Sequence, residues 1–153
     1  MGAALFYHLT RSPAEALLPQ LIGKARQAGW RVELRARSRD LAERLDQVLW
    51  QGDGFLPHGL AGGPHDARQP VLLTIEGQEA GPVACLMAVE GAEVSASDCT
   101  GAERVCIIFD GNNPAAVQRA RDQWRELTGA GIAAEYWAED GGRWEKKSAS
   151  GQR

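Results

Sequence analysis

Residues 3–36 read AALFYHLTRSPAEALLPQLIGKARQAGWRVELRA, which contains a full alternation of strand, helix and strand. Ala3 to Leu9 is apolar through most of its length, as a strand covered on both faces would be. Ser12-Pro13-Ala14-Glu15 carries helix-start chemistry, with Ser12 as N-cap, Pro13 at the first helical position and Glu15 reaching back. Leu17, Leu18, Leu21, Ile22 and Ala25 make the buried stripe of a helix running to Ala28. Pro19 must kink that helix or move its true start, because its ring removes a backbone donor. Gly29 closes it, and Trp30 to Ala36 then alternates apolar with charged side chains, which fits a half-buried strand. About thirty residues is the span of one right-handed βαβ unit, so parallel pairing is the default.

Downstream, Ser38 or Asp40 caps a second helix with Leu41, Leu45, Val48 and Leu49 on its core stripe and Trp50 on the opposite side. Gly52-Asp53-Gly54 ends it, and Phe55-Leu56-Pro57-His58-Gly59 follows as a loop with an apolar start. Two readings of these rings stand side by side: the last turn unwinds and buries them, or they form a surface aromatic site for a partner. Gly59 to Pro70 is a long connection, Val71 to Ile75 a short buried strand, and Val83 to Val89 a further strand with helix as the alternative. Arg104 to Phe109 is the strongest strand signal, a β-branched apolar run ending in Asp110-Gly111-Asn112-Asn113. Pro114 to Thr128 is a helix with Val117, Ala120, Trp124 and Leu127 on one stripe and Arg121 and Arg125 at its border. Ile132 to Trp137 is a last strand, Gly141 to Lys147 a turn and a short basic segment, and 148–153 a tail without fixed structure. Residues 1–147 therefore read as one Rossmann-like three-layer α/β domain with a mostly parallel sheet.

Composition narrows the function. At 153 residues and a formal net charge of −3, the chain lacks the strongly basic face of a duplex-coating protein. Cys85, Cys99 and Cys106 are odd in number without C-x-x-C spacing, and His8, His58 and His65 form no metal-ligand pattern, so structural thiols and no zinc are expected. No charged n-region precedes the apolar run at Ala3 to Phe6 and no twenty-residue apolar span occurs, so the expected location is cytoplasmic, with no membrane contact. Only Thr10-Arg11 separates Leu9 from Ser12, and no G-x-x-x-x-G-K-[ST] occurs, so the equipment for gripping a nucleotide phosphate is missing and no cofactor is expected. Asp110, at the carboxyl end of a buried strand, is where a nucleotide- or metal-dependent α/β enzyme would place a carboxylate, but the favoured reading is that with Asn112 it caps the turn into Pro114.

FYHL near the start, RLDQVLW followed by FLPHG, ARDQW in the later helix, then YW and GRWEKK occur in this order. In that combination the chain resembles the chi subunit of bacterial DNA polymerase III holoenzyme, over nearly its whole length. The resemblance implies a Rossmann-like domain without nucleotide chemistry or an active site of its own, and a connecting role in the replisome. It implies capture of the acidic C-terminal tail of single-stranded DNA-binding protein at Trp50, Arg121 and Trp124, with Arg125 adding charge where some relatives have a lysine and this chain has Val117. Phe55, Leu56 and Pro57 fall on a second surface, for the psi subunit or a helicase-like partner, which links to the clamp loader. DNA would be reached only indirectly, and the chain alone would be a monomer.

Overall fold

The computed structural model describes residues 3–11, 13–51, 58–62, 69–75, 78, 83–140 and 143–150. In chain order these form β1 (Ala3–Leu9), α1 (Ala14–Gln27), β2 (Val32–Ala36), α2 (Arg39–Trp50), β3 (His58–Leu60) and β4 (Val71–Ile75). β5 (Cys85–Ala88), α3 (Ala96–Gly101), β6 (Arg104–Asp110), α4 (Pro114–Gly129), β7 (Ala134–Asp140) and β8 (Arg143–Ser150) follow. The strands make one sheet in the order β3-β4-β2-β5-β6-β1-β7-β8. Every neighbouring pair is parallel except β7 with β8.

Period-two alternation sorts the side chains between two cores. Tyr7, Leu9, Cys85, Met87, Cys106 and Ile108 meet α1 and α2 on one face. Ala4, Phe6, Leu86, Ala88, Val105, Ile107 and Phe109 meet α3 and α4 on the other. Helices on both faces of a mostly parallel sheet make a single three-layer α/β domain.

Several expectations are corrected. The alternating segment at Trp30 to Ala36 is not half-buried: β2 lies between β4 and β5, and all five of its residues are buried. Its charges are satisfied internally. Glu33 Oε2 accepts from Arg35 Nε at 2.8 Å and from Thr74 Oγ1 at 2.7 Å. Arg35 Nη1 donates to Glu93 O at 2.8 Å and to Asp98 Oδ2 at 3.0 Å. Pro13 occupies the N-cap of α1 rather than its first turn, and Pro19 sits inside the helix at an exposed position, while Ser12 lies outside the described residues.

β3 spans the end of the apolar loop and the start of the long connection, its three residues pairing with β4, and α3 is an additional helix opened by a capping box of Ser95 and Asp98. The basic segment near the carboxyl end is the eight-residue β8, paired through Ser150, so Ser148 to Ser150 are strand and not unstructured tail. Trp144 of β8 packs edge-on against Tyr7 at 5.4 Å between ring centroids, which supplies the apolar contact that holds this antiparallel edge.

Candidate functional site

α4 carries the candidate arginines, and its start is well specified. The Asn113 side chain accepts from the amides of Ala115 and Ala116, and Pro114 stands in the first turn. Gly131, at φ +86°, turns the chain towards β7 after the helix ends. Ala120, Gln123 and Leu127 are buried, and Gln123 Nε2 donates to Ala92 O at 3.0 Å, fixing the rotation of the helix. Val117 and the half-buried Trp124 pack on the same core, while Arg121 and Arg125 are exposed. Trp124 meets Phe6 at 5.3 Å and Tyr136 at 6.3 Å, both edge-on, so its ring is held by β1 and β7 and keeps one border in water.

Two residues that the sequence reading left out complete this surface. His8 follows Phe6 on the same face of β1, and its Nδ1 is hydrogen-bonded to the Tyr136 hydroxyl of β7. The His8 ring also lies edge-on to Phe109, 5.2 Å away. Burial holds the His8 pKa below 6.5; Asp110 opposes that shift, and the positive charge of Arg121 reinforces it. Burial raises the Tyr136 hydroxyl, and Arg121 pulls it back. Arg121 is thus within electrostatic reach of both. Its guanidinium makes no ion pair or hydrogen bond among the described residues. Strand alternation from Phe6 could have pointed to His8; Tyr136 becomes its neighbour only through the β1–β7 register.

Trp50 is elsewhere. It is 53 % exposed at the end of α2, so its ring is not buried in the core, and α2 belongs to the face opposite α4. β4, which packs against α2, and β1 are four strand spacings apart, roughly 20 Å. Trp50 and Arg121 therefore do not share a groove. Trp50 lies 4.3 Å from the His58 ring, and buried His58 Nε2 contacts Asp46 Oδ1 at 3.0 Å. With Leu60, also exposed, this edge shows apolar surface. Phe55, Leu56 and Pro57 lie outside the described residues.

Asp110 is exposed and braces its own turn. Its Oδ1 accepts the Asn112 amide at 2.9 Å, and Asn112 Nδ2 donates to Thr10 O at 2.6 Å. Gly111 is required beside it, since a Cβ there would overlap the His8 ring. Among the described residues no helix is long and apolar enough to cross a membrane.

A family model described as DNA polymerase III chi subunit, HolC, matches residues 1–135. The match spans Arg121, Trp124 and Arg125 and ends one residue before Tyr136. No curated protein matches the chain.

Proposed function

The chain belongs to the chi-subunit family of DNA polymerase III, an accessory component of the replisome, and from that premise we propose that it is a non-catalytic adaptor. One surface, formed by Arg121, Trp124 and Arg125, captures the acidic C-terminal tail of single-stranded DNA-binding protein. A second, formed by Trp50 with Phe55, Leu56 and Pro57, holds the psi subunit or a helicase-like partner and so links to the clamp loader. Trp50 is assigned here to the second surface because it lies on the face away from Arg121.

The observation that carries this reading is the guanidinium of Arg121, without an ion pair or hydrogen bond among the described residues, beside a fixed indole. An exposed arginine against an exposed acid gains only about 0 to 1 kcal/mol. A guanidinium meeting a terminal carboxylate next to an apolar ring gains more, about 1.5 to 3 kcal/mol, together with burial of the terminal side chain on Trp124. A flexible tail loses entropy on binding, so affinity is expected in the micromolar range, raised where several tails are presented together.

Titration of a labelled acidic peptide ending in an apolar residue and a free carboxylate tests the site. Arg121→Ala weakens binding about ten- to a hundredfold, and deleting the last peptide residue nearly abolishes it. Equal affinity in both cases rejects the assignment.

A further inference from the structure

A cleft of about 680 Å³ opens at the carboxyl ends of β1, β2, β5 and β6. There the chain leaves β1 for one face of the sheet through α1 and leaves β6 for the other through α4. Such a reversal in an open parallel sheet leaves a crevice in which ligands bind, and the volume is that of a small-molecule site. Its floor is apolar, with Leu9, Val89 and Ile107, while arginines 11, 37, 44 and 119 stand around it.

The acids of the cleft are already engaged. Glu15 pairs with Arg44 at 3.4 Å. Glu90 accepts the amides of Arg37 and Ser38 at 3.1 and 2.8 Å and the Ser38 hydroxyl at 3.0 Å, and Asp110 accepts the Asn112 amide. The guanidiniums of Arg11 and Arg37, in contrast, make no ion pair or hydrogen bond among the described residues. Their backbones are pinned: the Arg11 amide donates to Glu139 Oε1 at 2.9 Å, and the Arg37 amide is the one held by Glu90. Two forked donors without a partner among the described residues thus border one hollow from held backbone positions.

We propose that this cleft binds a small phosphate-bearing ligand of nucleotide size, with Arg11 and Arg37 holding the phosphate and the apolar part resting on Leu9, Val89 and Ile107. A phosphomonoester brings a charge of about −1.5 to −2, which matches two guanidiniums, and the planar fork suits its oxygens. Side chains would grip the anion here, where a phosphate loop would use glycine backbone. The site is independent of the peptide surface: Arg119 and Gln123 line the cleft from α4, and Arg121 and Trp124 do not.

The experiment is calorimetric and NMR titration of the full chain with AMP, with inorganic pyrophosphate and with adenosine. AMP and pyrophosphate saturate the protein and adenosine does not. Arg11→Ala and Arg37→Ala each weaken AMP about tenfold, while Arg121→Ala leaves it unchanged. Both arginines are exposed, so the variants are expected to fold, which circular dichroism verifies. Absence of saturation by AMP and pyrophosphate up to about 10 mM overturns the proposal, as does undiminished binding in the double variant.

Discussion

At Gly111 a single hydrogen atom makes room for an imidazole. A Cβ there would run into His8 and would also stand 2.6 Å from the Leu9 carbonyl oxygen, which no rotamer change relieves. Gly111→Ala should therefore destabilise the protein by about 1–3 kcal/mol in urea unfolding. His8 has a depressed pKa, so between the unfolded value of 6.5 and the native one the unfolded chain takes up a proton that the native state resists. Stability falls as pH drops through that window and the loss levels off below the native pKa. Because Arg121 is one cause of the depression, Arg121→Ala should move the His8 titration upward in an NMR pH series, while burial keeps it below 6.5. Arg121 and Trp124 were readable from helical periodicity, since their relation is local. His8 and Tyr136 were not, because 128 residues separate them and only the register of β1 on β7 joins them.

Among the elements, β2 shows how topology overrides pattern. Alternating charges read as a solvent face, yet the strand is central and its polar face is closed by Thr74, Asp98 and the Glu93 carbonyl. Arg35→Ala leaves Glu33 buried without its cation and should cost about 3–5 kcal/mol by chemical denaturation. Replacing Glu33 and Arg35 together with methionine should cost less, because the buried Glu33 carboxylate goes with its cation and only the partly exposed Asp98 loses a partner. Burial disfavours the charged form of Asp98, but Arg35 and the Ser95 amide and hydroxyl outweigh it, leaving the carboxyl below its usual 3.8. Its contribution is present above that value and lost as pH falls through the native pKa, so Asp98→Asn should flatten the acid limb of the stability curve. β1, α2, β4, β6 and α4 were legible from periodicity and caps. β3, α3 and β8 were not, being short or polar and ordered by tertiary pairing rather than by local preference.

In the whole molecule, the two-faced sheet separates the proposed tasks. Trp50→Ala should change tail-peptide affinity by less than about twofold, since the residue lies across the sheet from Arg121, whereas a large loss would place Trp50 back in the peptide surface. Trp144 closes the far edge on Tyr7, and Trp144→Ala should cost about 2 kcal/mol without touching peptide affinity. The antiparallel return of β8 also has a practical side. It brings Ser150 level with Ala134, at the entry end of the parallel strands, whereas the cleft opens at their exit end. A dye, tether or biosensor anchor attached at Ser150 would thus hang from the underside of the molecule and leave the mouth of the cleft unobstructed.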